Sequence, residues 1–150
     1  MRAVRWDDQR GGISVMGFSE CVVSCRMTRQ RQLLGLQGER IAVRWMQRDG
    51  WRLLAHRFRS GHRDIDLVMQ RERTVVFVEV KARRGATFGS PVDAVRFRKQ
   101  RELGRSARVW VDRHGEVGLN YRFDVLGVLI EGQSVKVRHI PDAFPMVGML

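Results

Sequence analysis

The chain has 150 residues, 43% of them hydrophobic, which suits one domain with a real core. Lys and Arg total 28 against 16 acids, a formal net charge of +12, and that balance points to a polyanionic partner, DNA or RNA. No apolar run approaches the ~18–20 residues of a membrane span, and the opening Met-Arg-Ala-Val-Arg-Trp-Asp-Asp has no apolar signal core, so a cytoplasmic protein without a membrane partner is expected.

Residues 1–30 read as a poorly structured N-terminal extension, and 31–150 as the folded domain. Gly11, Gly12 and Gly17 break up the first stretch, which shows no sustained period. Met27 stands just ahead of the first strong helix and is the expected original start. Cys21 and Cys25 have no second Cys or His pair nearby. A closed zinc site needs four ligands, so two free thiols are expected.

A helix is expected from about Leu33 to Asp49. Leu34, Ile41, Ala42, Trp45 and Met46 recur at helical spacing, and Gly50 is a natural C-cap. Glu39 falls on or beside the core-facing side. A first strand follows over Trp51–Phe58, with Trp51, Leu53, Ala55 and Arg57 on one face. Gly61 punctuates a turn. Strands over Asp64–Gln70 and Thr74–Lys81 come next, and the second is apolar on both faces apart from Glu79 and Lys81, as a central strand should be. Beyond Lys81, Ala82–Gly89 reads as a basic loop that includes Arg83 and Arg84. Ser90, Pro91 and Asp93 then form a helix start. That helix is expected to reach about Trp110, with Ala94, Val95, Leu103, Ala107 and Trp110 inward. Arg96, Arg98, Lys99, Arg101, Arg105 and Arg108 occupy its other positions, a composition suited to phosphate-backbone contact. Strands over Tyr121–Ile130 and Ser134–Ile140 close the domain, with Pro141 ending the last and Phe144 in a loosely packed tail.

Charges inside strands are costly unless paired or bound to a metal. Glu79 and Lys81 share one strand face, and a hairpin brings Asp66 beside them. Glu39 approaches from the first helix. Two readings fit this constellation. One is a buried ion network neutralised by Lys81 and a nearby Arg. The other is a metal-assisted hydrolytic site, favoured because in-strand charges converge from separate elements. In the second reading Asp66, Glu79 and the carbonyl of Val80 hold a hard cation such as Mg²⁺. Glu39 binds a second metal or a metal-bound water, and Lys81 orients the attacking water or stabilises charge on the phosphate.

Gly38-Glu39, Gly50-Trp51, Asp64-Ile65-Asp66-Leu67-Val68 and Val76-Phe77-Val78-Glu79-Val80-Lys81-Ala82-Arg83 resemble the YraN family. Gly89, Ala94-Val95, Lys99, Ala107 and Arg122-Phe123-Asp124-Val125 extend the resemblance, which covers about Leu33 to Phe144. The family is similar to archaeal Holliday-junction resolvases within the PD-(D/E)XK nuclease superfamily. The resemblance implies an α/β, restriction-endonuclease-like core with a mixed central sheet flanked by helices, in the order αβββαββ. It implies Mg²⁺- or Mn²⁺-dependent cleavage of DNA, branched DNA included, by a homodimer. Glu39, Asp66, Glu79 and Lys81 are the matching catalytic positions. Arg83, Arg84, Arg98 and Lys99 are the candidate nucleic-acid contacts. Arg63-Asp64 replaces the family's usual Gly-Glu, so Asp64 is read as an auxiliary acid. Asp124 is read as a structural acid paired with an Arg. A nucleic-acid-binding protein that keeps the nuclease fold without robust catalysis is the alternative.

Overall fold

The computed structural model describes residues 3–5, 22–85 and 95–146. Its elements are β1 (Ala3–Arg5), α1 (Val22–Arg48), β2 (Arg52–Ser60), β3 (Arg63–Arg71), β4 (Thr74–Arg84), α2 (Phe97–His114), β5 (Asn120–Glu131) and β6 (Ser134–Phe144). From α1 onward the order is αβββαββ, as expected, in a mixed α/β arrangement consistent with a restriction-endonuclease-like fold. The strands form a single sheet in the order β1-β6-β5-β4-β3-β2. Neighbours pair antiparallel except β4 and β5, which are parallel. A parallel pair cannot close through a tight turn, and the β4–β5 connection contains α2.

The two helices cover opposite faces, so the middle strands are apolar on both sides. Val76, Val78, Leu67, Met69, Leu126 and Val128 pack with Ala42 and Met46 of α1. Val75, Phe77, Val68, Phe123 and Val125 pack with Leu103, Ala107 and Trp110 of α2. The inward residues expected on both helices pack into the core as expected, except Ala94, which lies outside the described residues along with the expected cap Ser90-Pro91-Val92-Asp93. The second helix itself starts later than expected: Arg96 is its N-cap, so buried Val95 precedes it, and it runs past Trp110 to His114. Gly38 brings α1 closest to the sheet: a Cβ there would overlap the Cβ of Ala82. Gly50 has a left-handed φ of 84° and donates from its N–H to the Gln47 carbonyl at 3.1 Å, ending α1 as expected.

Several boundaries differ from expectation. Helix α1 begins at Val22 rather than near Leu33, and Ala3–Arg5 pairs with β6, so both reach into the stretch assigned to the extension. The basic segment after Lys81 is not all loop: β4 runs on to Arg84, whose rung partner is Ile130 of β5. Pro141 does not end β6, which continues to Phe144 opposite Phe123. The register between β5 and β6 shifts between Val125–Ile140 and Phe123–Phe144, so Pro141 lies in an irregular stretch and its missing N–H breaks no rung among the described residues. Phe144 is 5% exposed and stacks on Phe123 at 4.8 Å, so the tail is anchored in the core. The register shift between Leu53 and Ala55 moves Ala55 to the α2 side, away from Trp51 and Leu53. An extra residue in one strand reverses the alternation beyond it, and no local pattern announces it.

Candidate active site

The sheet forks at one place. Strands β3 and β4 stay paired from Arg71 and Thr74 to Leu67 and Val78. Beyond that rung β3 remains with β2 up to its turn, while β4 remains with β5 to Arg84. Asp66 and Glu79 are the first residues past the split. The backbone N–H of Val80 donates instead to Asp66 Oδ2 at 2.8 Å. In an extended strand the N–H and C=O of one residue point to the same side, so the Val80 carbonyl is also directed into the fork.

Glu79 and Lys81 lie on the α2 side of the fork, in step with Val75 and Phe77. Glu79 is 4% exposed. Its Oε1 accepts from Lys81 Nζ at 2.6 Å. Lys99 Nζ of α2 lies 3.5 Å from Oε2 as an ion-pair neighbour, yet Oε2 has no hydrogen-bond partner among the described residues. Asp66 stands between this group and Glu39. Burial pushes its carboxyl up, the Glu79 charge adds to that, and Glu39 contributes less; the Val80 N–H and Lys99 oppose them, leaving it at about 7.

Glu39 approaches from α1 and is 4% exposed. Arg57 of β2 grips it with two hydrogen bonds, Nε to Oε2 and Nη2 to Oε1, each 2.9 Å. His56 Nε2 lies 2.6 Å from Oε2. Burial raises the Glu39 carboxyl, but these partners outweigh it and hold it below its ordinary range. Successive residues of a regular strand point to opposite faces, so two neighbours reaching one acid need a distortion. Arg57 supplies it with φ = 52°, a conformation that costs a residue with a Cβ about 1–3 kcal/mol.

Of the four expected catalytic positions, Asp66, Glu79 and Lys81 thus meet at the fork, while Glu39 stands on the far side of Asp66. Among the described residues no group of three or more His, Cys, Asp and Glu side chains stands ready to hold a metal. The third acid, Glu39, is turned to Arg57. What fits a hard divalent cation is the Asp66–Glu79 pair: two adjacent carboxylates, one with an orphaned buried oxygen and the other with its ionisation suppressed, beside a main-chain carbonyl. Asp64 does not join them. Its Oδ1 lies 3.8 Å from Arg59 Nε across the β2–β3 turn.

Of the expected nucleic-acid contacts, Arg83 and Arg84 are exposed at the end of β4. Arg98 is 92% exposed and bonds Glu102 one helical turn on. Lys99 differs from them, since it points inward to Glu79. His56 and Arg57 were missed by sequence reasoning. Arg57 stood out only as a charge among apolar strand residues, and nothing in the sequence marks its backbone. Asp124 is fully buried and paired with an Arg, as expected. Arg122 holds both of its oxygens at 2.9 and 3.1 Å, His139 Nε2 lies 2.7 Å away, and the N–H of Asp142 donates at 3.0 Å. Burial raises this carboxyl, but His139, Arg122 and the Asp142 N–H outweigh it, so it lies below its ordinary range.

Residues 38–128, which span the fork and α2, match the family described as "Uncharacterised protein family UPF0102". This chain belongs to the UPF0102, or YraN, family. A UPF0102 protein of Geobacter metallireducens is 35% identical over 80% of this chain and 98% of its own. One from Syntrophotalea carbinolica is 38% identical over 81% and 99%. One from Chlorobium chlorochromatii is 40% identical over 74% and 90%. The UPF0102 match starts at Gly38 and Glu39 and includes every expected site position. No helix among the described residues is long and apolar enough to cross a membrane.

Proposed function

We propose that the protein is a metal-dependent endonuclease that hydrolyses phosphodiester bonds of DNA, in the manner of a resolvase. The observation that carries this reading is the fork itself, where Asp66 takes the Val80 N–H beside Glu79 and Lys81. Asp66, Glu79 and the Val80 carbonyl would hold Mg²⁺ or Mn²⁺, with Glu39 as a further acid. A cation there supplies charge neutralisation at the phosphate and a more acidic water. Lys81 places an ammonium where charge develops on the phosphoryl oxygens. Lys99 does the same from the other side of Glu79. Arg83, Arg84 and Arg98 are exposed around this centre and suit contacts to the flanking backbone.

The test is cleavage of branched, single-stranded and duplex DNA with Mg²⁺ or Mn²⁺, comparing wild type with Glu79→Ala and Lys81→Ala. Metal-dependent cutting by wild type that drops at least a hundredfold, on the order of a lost transition-state donor, supports the proposal. Equal cutting by the variants, or none by any protein, overturns it. A second reading, a DNA-binding module of nuclease fold, is favoured by one observation: Glu39 is already engaged by Arg57 and His56. Salt-sensitive binding by all three proteins with no cutting supports that reading. Branched DNA, a homodimer and a cytoplasmic location complete the proposal.

A further inference from the structure

Glu39 is sealed in by a cation that itself faces solvent. The Glu39 side chain is 5% exposed, whereas that of Arg57 is 41% exposed. Backbone pairing also fails at Arg57. Rungs join His56 to Leu67 and Phe58 to Ile65, but none joins Arg57 to Asp66 between them. The residue that grips one site acid and stands opposite another is therefore the one held in a left-handed conformation. Such conformations persist where surrounding contacts over-determine them, and they gather at binding and switching sites.

An Arg fork matches a phosphodiester as well as it matches a carboxylate. Without Arg57, Glu39 keeps only the His56 ring at 2.6 Å, and a buried carboxylate that has lost its guanidinium favours another cation in its place. The two exchanges are therefore coupled. We infer that Arg57 is a phosphate-binding residue and the lock on Glu39: a DNA phosphate entering the fork draws Arg57 away, and Glu39 is released to a divalent cation shared with Asp66 and Glu79. This inference rests on the metal-dependent reading above. It requires that DNA and cation strengthen each other's binding by the same factor.

The experiment uses the full chain with Arg57→Gly and Arg57→Gln, each alone and combined with Glu39→Gln. Glycine adopts the left-handed conformation freely, so the first variant removes the grip without new strain. Glutamine tests the grip independently should the glycine variant not fold. The combined variants also remove the buried charge. Mn²⁺ binding is measured by calorimetry, without DNA and with a nuclease-resistant phosphorothioate duplex. DNA binding is measured by fluorescence anisotropy in chelator.

Without DNA, both single variants should bind Mn²⁺ about tenfold tighter than wild type, a typical coupling factor. The gain should vanish when Glu39→Gln is added. The duplex should tighten Mn²⁺ binding to wild type but not to the Arg57 variants. In chelator those variants should show a salt slope lower by about one phosphate contact. If wild type binds Mn²⁺ and the Arg57 variants bind it no tighter, or the gain survives Glu39→Gln, the lock is wrong and the metal reading stands. If no protein binds Mn²⁺, the metal reading fails and the lock fails with it.

Discussion

Replacing Asp66 with Asn should stabilise the protein at alkaline pH while removing the proposed metal site. The Asp66 carboxyl moves from an ordinary 3.8 to about 7 on folding, first through burial and then through the Glu79 charge. At about 1.4 kcal/mol per tenfold change in ionisation, the ionised form carries a penalty of at most about 4 kcal/mol. Partial solvent exposure of Asp66 cuts this to about 2 kcal/mol. The sign follows from proton binding. Between pH 4 and 7 the folded state holds a proton that the unfolded chain has lost, so wild-type stability falls as pH rises through that window. Asn does not ionise, and its carbonyl oxygen can still accept the Val80 N–H. Urea denaturation in chelator should therefore show Asp66→Asn about 2 kcal/mol more stable than wild type at pH 8, with less than half that gap at pH 4. An equal gap at both pH values, or a destabilised variant at pH 8, would refute the placement of Asp66 in a buried acidic pair. The same variant should lose Mn²⁺ binding, the usual opposition between a strained site and stability.

Three further outcomes follow from particular contacts. Asp124→Ala strips Arg122, His139 and the Asp142 N–H of a common acceptor, and should cost about 3–5 kcal/mol in urea melts. Gly38→Ala forces α1 away from Ala82 and should cost about 1–3 kcal/mol in the same assay; an unchanged midpoint would mean that the helix stands further off. Because Asp66 must lose its proton to bind a cation, apparent Mn²⁺ affinity should rise with pH below about 7 and level off above it. Calorimetry across pH 5.5 to 8.5 reads this directly, and a flat profile would exclude Asp66 as a ligand.

The sequence alone determined the element order from α1 onward and the core-facing residues, because helical and strand periods record burial directly. It also picked out Glu39, Asp66, Glu79 and Lys81, since charges in apolar segments are rare enough to stand out. Its errors came where meaning depends on another part of the chain. Pro141 reads as a stop only if its N–H is needed for a rung, and the register shift that leaves it without one is set between strands. The slip at Leu53 and Ala55 is a register effect between strands. Lys99 looked like one of several outward cations, and only the approach of α2 to β4 turned it to Glu79. Above all, the tertiary structure decided that the acids do not meet as one cluster. Where β3 and β4 part, Asp66 takes the Val80 N–H, Glu79 falls to one side and Glu39 is held on the other by Arg57. No local pattern encodes that division, because it arises from a split in long-range pairing and from one strained backbone residue.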